Sequence, residues 1–487
     1  MNDANEFSPR PELFFHSGAL DPGAFRVVGL RGFEALSQLY ELELELALTE
    51  SEPLDSDSVE EILGAPVILG FAESGTLEHP WHGILREMEL VHADGHAPLY
   101  RAVMVPTLWY ATQTVRTRVF LELTVPEIIQ TVLEDLGFAP GDHFESSLTA
   151  SYPKREYVLQ YAESDFDFIA RLMEHEGIFF FFDQRPDGEV LILGDANAVF
   201  AAPEGKSEIV FDPREAVTVA GGALHRVSRR YRVVPQHVVM REYQPSLPSS
   251  PIQTDSAIHD RGIGLVMMHG QNALTETEAR RLTKVRADER ALERHLHSAV
   301  SSVRGLHPGH RFVLSGHPFG ELEGLELTVV AMHHAAAGSE APFGSEVELL
   351  PLSVTYRPAR LTTKPRIDGV IHAKVDGEVA GVPAPLDPQG RYKVLLPFDT
   401  VGALGGKASC WMSMTQTFTG PAYGMHFPLH IGADVLVAHV EGDPDRPVIV
   451  GALPTPQTAT TVVQDNATQS VVRSKAHIVI ELEDDAV

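Results

Sequence analysis

Residues 162–182 read AESDFDFIARLMEHEGIFFFF. The acids Glu163, Asp165, Asp167, Glu174 and Glu176 crowd a short apolar pattern, and four phenylalanines follow a glycine. Two readings compete. The acids are catalytic or metal-binding, or they cap and solvate a helix. Ser164 is a good N-cap, and Asp165 and Asp167 fall in the first turn, where carboxylates suit the helix dipole. Phe168, Ile169, Leu172 and Met173 share a face, and Gly177 is a C-terminal stop. Residues 178–182 then read as a strand buried on both faces. A turn over 183–188 returns it as a second strand over 189–193. The hairpin gives the phenylalanines a partner, so they read as core rather than as a membrane wedge. The acids are assigned to capping and solvent exposure.

The pattern extends outward. Residues 24–28, 40–48, 67–71, 83–90 and 99–109 read as strands, with strict period-2 alternation of acid and leucine over 41–46. A helix begins near Thr124. Thr124 and Glu127 have capping-box spacing, Pro126 sits in the first turn, and Ile128, Ile129, Val132, Leu133 and Leu136 form one stripe closed by Gly137. Residues 212–260 mix strands with Pro-rich turns such as 244–251. A charge-rich helix runs from Thr275 to about Arg294, and further strands cover 312–314 and 325–330. Residues 357–367, RPARLTTKPRI, are basic and Pro-punctuated and read as a linker. Strands at about 368–373, 392–396, 409–415, 435–440 and 448–451 suggest a small barrel of OB type. A last strand is expected over 476–482, in a tail too short and polar to fold alone. The fold class is therefore mainly β with a few helices (α+β).

Composition narrows function. The chain has 487 residues and a formal charge of −29, from 67 acids against 38 bases. Such a surface repels phosphate backbones and argues against nucleic-acid binding. The start, MNDANEFSPRPE, carries no signal-peptide pattern, and no apolar run reaches the roughly 20 residues of a membrane span. A cytoplasmic protein without stable membrane insertion is expected. Cys410 is the single cysteine, so a disulfide within one chain and a cysteine-based zinc site are excluded, and it reads as a buried small hydrophobe. Signals for common hydrolases, zincins and NTPases are absent from the sequence. His307, His310, His317, His333 and His334 lie close in sequence, but with no carboxylate at ligand spacing they read as structural. No catalytic, cofactor-binding or metal residue is assigned, and no cofactor. A glycan-binding module is disfavoured because no clustered exposed aromatics are evident.

The run containing Tyr157, Gln160, Tyr161, Glu163, Asp165, Phe168, Arg171, Leu172, Glu176 and Gly177 closely resembles the signature of VgrG proteins, the spikes of type VI secretion. The likeness continues at residues 31–37 (RGFEALS), 308–312 (PGHRF), 390–394 (GRYKV) and 424–427 (GMHF). It ends in EGDPDRP over 441–447, with Gly442, Asp443, Pro444, Arg446 and Pro447. The matches follow family order across nearly the whole chain.

The resemblance implies the architecture of contractile phage tail hubs and spikes. Residues 1–356 are expected as a tube-barrel hub region with an inserted α+β part around 120–200. A linker follows over 357–367, an OB-fold barrel over 368–455, and over 456–487 the beginning of a trimeric β-helix needle, truncated or unusually short. It further implies a homotrimer seated on an Hcp-like hexameric inner-tube ring among baseplate proteins. A PAAR-type tip protein and effectors are implied as cargo, and the assembled particle would be ejected toward a target cell. The function expected is a non-enzymatic structural spike. The hub of a phage tail, tailocin or extracellular injection particle is the alternative, and a cell-wall hydrolase ranks below both.

Overall fold

The computed structural model describes residues 12–73, 76–93, 97–214, 221–243, 249–337, 343–399, 405–421 and 423–484. The start of the chain and part of the Pro-rich stretch over 244–251 thus lie outside the described residues. The chain divides into two compact units. One comprises Met1–Thr114, Ile129–Tyr152 and Asp165–Thr363; the other comprises Val115–Ile128, Pro153–Ser164 and Lys364–Val487.

The first unit is built on a twelve-stranded sheet. Its logic is plainest in the strand Glu41–Leu48, where Leu42, Leu44 and Leu46 are fully buried while Glu41 and Glu45 face solvent. This strand pairs antiparallel with Phe25–Ala35 on one side and Leu99–Val105 on the other. Phe25–Ala35 in turn carries Glu326–Ala337, which joins chain segments 300 residues apart. The strand expected over 99–109 stops at Val105. Pro106 has no N–H to give a ladder, and Thr107–Thr112 winds into a 3-10 turn instead.

The phenylalanine strand runs over Phe179–Arg185 and pairs with Gly188–Gly194. Its ladder extends past the expected start of the turn, because Arg185 reaches Asp183 and Glu145, each at 2.8 Å. Phe179 and Phe181 pack with Phe200, and Phe179 also meets Tyr356 edge-on at 5.3 Å. On the other face Phe180 meets Phe166 and Phe182 meets Tyr40. Burial on both faces, as the sequence indicates, stabilises by about 1.5–3 kcal/mol per ring.

The helices are Ser56–Ile62 (α1), Val125–Asp135 (α2), Asp165–Glu176 (α3) and Glu276–Leu292 (α4). In α2 the capping box forms in both directions. Thr124 N–H donates to Glu127 at 2.7 Å, and Glu127 N–H donates to Thr124 Oγ1 at 3.3 Å. The Thr275 hydroxyl caps α4 by accepting from Glu278 N–H at 3.2 Å. Among the described residues no helix is long and apolar enough to cross a membrane.

The second unit holds a four-stranded sheet in the order Val394–Leu395, Val370–Val375, Asp434–His439, Pro447–Ala452. Two early strands, Val115–Phe120 and Val158–Ser164, pair with one another. Tyr157 and Leu159 share the core of this unit with Tyr392, Met412, Val435, Val437 and Ile449. Residues 409–415 do not form the expected strand. They make isolated bridges, Tyr392 to Met412 and Met414 to Ile449. The reason is local: the Ser409 hydroxyl takes the Val394 N–H at 2.9 Å in place of a ladder carbonyl. Cys410 is buried, and burial pushes its thiol up to about 12.

The last expected strand is Val479–Glu483, and it pairs with Gln469–Arg473 within the chain. Val472, Ile478, Ile480 and Leu482 on this hairpin are exposed. A second apolar surface corrects the sequence reading of the aromatics. Phe418 and Tyr423 are both exposed, with rings 5.4 Å apart, and Met425 and Phe427 beside them in sequence are exposed too. The glycines and prolines around them, Gly420, Pro421, Gly424 and Pro428, hid this cluster, because no period marks it.

Candidate functional site

The structure separates the signature segment into two roles. Tyr157, Gln160, Tyr161 and Glu163 belong to the second unit; Asp165, Phe168, Arg171, Leu172, Glu176 and Gly177 belong to the first. In the second unit Tyr157 is buried, Tyr161 faces Phe398 at 6.3 Å between rings, and the buried Gln160 carbonyl accepts from Arg118 Nε at 2.8 Å. Glu163 accepts from Tyr161 N–H at 3.3 Å.

In the first unit the acids are not solvated, contrary to the sequence reading. Asp165, Glu174 and Glu176 are buried, as is Glu163 in the second unit; Asp167 alone of the five is exposed. Buried carboxylates need donors, and the chain supplies them from far away. Glu174 accepts from Leu361 N–H at 3.1 Å and from the Thr362 hydroxyl at 2.9 Å. Glu176 pairs with Arg281 of α4. Phe168 is fully buried, with the Arg171 guanidinium 5.1 Å over its ring, and Leu172 is buried beside them.

The C-terminal end of α3 also gathers cations. Arg286 donates to the carbonyls of Glu174 and His175, Arg357 donates to the Gly177 carbonyl at 3.0 Å, and Arg360 meets His175 Nδ1 at 3.2 Å. Positive groups suit the negative end of the helix dipole. Burial, and then the neighbouring Arg360, lowers the Arg286 guanidinium to about 10.

Gly177 has φ +78°, and a Cβ there would lie 2.6 Å from Val285 Cγ1. We expect Gly177→Ala to lower stability by about 1–2 kcal/mol through the left-handed backbone and this clash. Urea unfolding measures it; an unmoved midpoint would show that the helix end tolerates a side chain.

The other signature run, EGDPDRP, closes the second unit. Glu441 and Gly442 both take positive φ, 59° and 73°. This tight turn aims Asp443 and Asp445 at Lys364, with Asp445 at 2.7 Å. Asp445 also accepts from Leu159 N–H at 2.8 Å, which fixes the Val158–Ser164 strand. Arg446 lies 3.6 Å from Glu441, its carbonyl accepts from Val440 N–H, and Pro444 and Pro447 bracket it, with Pro447 opening the last sheet strand.

The histidines reveal what sequence spacing missed. Glu34, in the RGFEALS run, is the carboxylate they lacked. Its Oε1 meets His334 Nε2 at 2.6 Å and accepts from Trp81 Nε1 at 2.9 Å, while its Oε2 meets His307 Nδ1 at 3.2 Å. Burial would raise this carboxyl, but His307 and His334 outweigh it and hold the carboxyl well below its usual range. His334 also reaches the Ser345 hydroxyl at 2.8 Å. His310 accepts from His307 N–H at 3.1 Å, and burial lowers it to about 3. His317 packs on Phe211 and the exposed His333 packs on Phe33. Among the described residues no group of three or more His, Cys, Asp or Glu side chains could hold a metal ion. The arrangement fastens strands across the sheet; a pair 273 residues apart leaves no local signal.

Against known proteins, the model of the phage tail baseplate hub (GPD) matches residues 33–340. The type VI secretion system/phage-baseplate injector OB domain matches residues 376–453. The chain is 28% identical over 483 residues to the type VI secretion system spike protein VgrG1c of Pseudomonas aeruginosa, covering 96% of this chain and 65% of that protein. It is 29% identical over 470 residues to VgrG1a of the same organism, covering 94% and 72%. It thus spans about two thirds of the length of these relatives. Among solved structures it resembles an Escherichia coli component of the type VI secretion system, itself described as similar to the T4 tail proteins gp27 and gp5. That likeness has a TM-score of 0.67 at 20% identity, over 90% of this chain and 99% of that one. The half-lidded Francisella PdpA–VgrG complex gives a TM-score of 0.63 at 9% identity, over 98% and 83%.

Proposed function

The chain belongs to the phage tail baseplate hub family, and on that premise we propose that it is the hub and spike of a type VI secretion machine. One observation carries this reading: a hub match over 33–340 is followed, in the same chain and the same order, by an injector OB match over 376–453. The hub of a phage tail, tailocin or extracellular injection particle is the alternative; it is disfavoured because two relatives matched over 96% and 94% of this chain are type VI secretion system spike proteins.

The proposed division is a tube-barrel hub to about residue 356, a connecting segment over 357–367, an OB barrel over 368–455 and the start of a needle over 456–487. The last of the boundaries between the two compact units, Thr363/Lys364, falls within the connecting segment, while Val115–Ile128 and Pro153–Ser164 group with the second unit. The protein would act as a homotrimer, seated on a hexameric inner-tube ring among baseplate proteins, loaded in the cytoplasm and then ejected. A tip protein and effectors would ride on it. The work is mechanical, so the role asks for stiffness rather than an active site, and the signature residues serve as scaffold. The exposed apolar hairpin at the C-terminal end supports association, since such strands gain most by pairing with other copies.

Light scattering tests this. The expected mass is about 160 kDa, three times 53.3 kDa. Each copy carries −29, so moderate salt should favour assembly by screening like charges. A monomer at every salt and protein concentration would overturn the trimeric spike for this chain.

A further inference from the structure

Within the first unit the strands His237–Glu242, Ile252–Ala257 and Leu265–Met268 form a small sheet of their own. His237–Glu242 is central, so the other two are edges. One edge is guarded in the ordinary way. Ile252–Ala257 turns Gln253 and Asp255 to water, and charged or polar side chains deter further pairing. The other edge is bare. Leu265–Met268 reads LVMM, and among the described residues it pairs on one side only, in unbroken register. It contains neither charge nor proline, and Ile263 and Gly264 before it add none. Unpaired N–H and C=O groups flanked by apolar side chains are a template for another strand.

A second observation is the space beside this edge. Side chains alternate along it. Leu265 and Met267 are exposed, while Val266 and Met268 line a cleft of about 500 Å³. Leu292 and Leu296 close the cleft on one side, and Val330 and Leu350 of the large sheet form its apolar wall. A strand added here finds backbone partners on the edge and, at every second residue, an apolar cavity. Sheet edges that take peptides combine these two features.

The charges of the cleft largely cancel. Its acids are Glu289, Glu293 and Glu348, and its cations are Arg286, Arg290, Arg357 and Arg360. Each acid already holds an arginine. Glu289 meets Arg286 at 2.6 Å, Glu293 meets Arg232 at 2.7 Å, and Glu348 meets Arg230 at 3.5 Å. Arg357 donates to the carbonyls of Gly177 and Asp195, and Arg360 donates to Gln271. That leaves Arg290, exposed in the last turn of α4, without a partner among the described residues. The cleft therefore suits an apolar segment with a single acidic residue rather than a polyanion.

We propose that the Leu265–Met268 edge and this cleft dock an extended apolar segment of another protein. The segment adds as a strand, sends alternate side chains into the cleft beside Val266 and Met268, and sets one carboxylate near Arg290. A second copy of this chain suits the edge less well. Two such edges paired with each other make a twofold contact, whereas the proposed assembly is threefold, and the opposite edge of the same sheet is polar.

Fluorescence anisotropy of a labelled peptide mixed with the full chain tests this. The probe alternates valine with threonine and ends in aspartate. Saturable binding with a Kd of about 1 mM or tighter is expected. Two further forms of the probe are N-methylated on one or the other set of alternate residues. One of them should bind about tenfold more weakly, because it has lost the N–H groups that face the edge. Arg290→Glu should weaken binding about twofold to fivefold, and a probe ending in lysine should restore it. Val266→Asp, which charges the cleft wall, should abolish binding, with circular dichroism confirming that the variant folds. Absence of saturable binding up to about 1 mM overturns the proposal, as do equal affinities for the plain and both methylated probes. A fall in the mass of the assembly in Val266→Asp overturns it too, by giving the edge to a second copy.

Discussion

Glu34→Ala is expected to lower the stability of the first unit by about 3–5 kcal/mol. The wild-type carboxylate fills the space between His307, His334 and Trp81, all buried. Removing it leaves two imidazoles and an indole N–H without their acceptor, and each buried polar group then bears its full desolvation cost. Glu34→Gln should repair the loss only in part, because its amide oxygen can still accept from His334 and Trp81 while its NH2 replaces the oxygen that meets His307. Trp81 sits in the cluster, so its fluorescence reports urea unfolding of this unit directly. A loss below about 1 kcal/mol would mean that water or the histidines themselves replace the carboxylate. The pH dependence has a definite sign. Glu34 is depressed in the folded state, so its contribution is complete above the ordinary carboxyl value of 4.5 and is lost as pH falls below that toward the folded value.

Glu189 is expected to behave in the opposite sense. Its carboxyl accepts from Thr107 N–H, and its second oxygen lies 2.7 Å from the Tyr40 hydroxyl. The same hydroxyl also reaches the His82 carbonyl. Tyr40 has one hydrogen for two acceptors. A protonated Glu189 resolves this, donating to Tyr40 while Tyr40 donates to His82. Burial pushes this carboxyl from 4.5 up to about 7, and the hydrogen bonds oppose that only in part. Between pH 4.5 and about 7 the folded chain therefore holds the proton that the unfolded chain releases. Stability should fall as pH rises through that window, and level off above it. The expected loss is on the order of 2 kcal/mol, after allowance for the partial exposure of the residue. Glu189→Gln keeps the acceptor for Thr107 and supplies an N–H to Tyr40, so the variant should lack this slope. Wild-type and variant stabilities that run parallel from pH 4.5 to 8 would refute the proton assignment.

The parts of this fold that announce themselves in sequence are those whose causes are local. Alternation over 41–48 marks a half-buried strand because side chains leave a strand on opposite faces every residue. The Phe179–Phe182 run marks a strand buried twice, and Thr124 with Glu127 marks a helix start through bonds only three residues long. The family likeness then supplied the architecture. What stayed hidden has causes at a distance. Glu174 and Glu176 look solvated on a helical wheel, and only the arrival of Thr362 and Arg281 makes their burial tolerable. Glu34 and His307 are the same case. At Ser409 the failure is different: one hydroxyl outcompetes a carbonyl for the Val394 N–H, and propensity does not see such an exchange. The Phe418–Tyr423 surface lies in a short Gly-bounded hairpin, where periodicity has too few residues to register.

The bond from Leu159 to Asp445 spans 286 residues. A ribosome adds about 5–20 residues per second, so the later partner emerges on the order of 15–60 s after the earlier one. Through that interval Tyr157 and Leu159, fully enclosed in the finished protein, have no core to enter. Most of the first unit is translated while they wait. The second unit is thus finished late by arithmetic alone, and any pause in translation before Asp445 lengthens the life of an adhesive nascent chain.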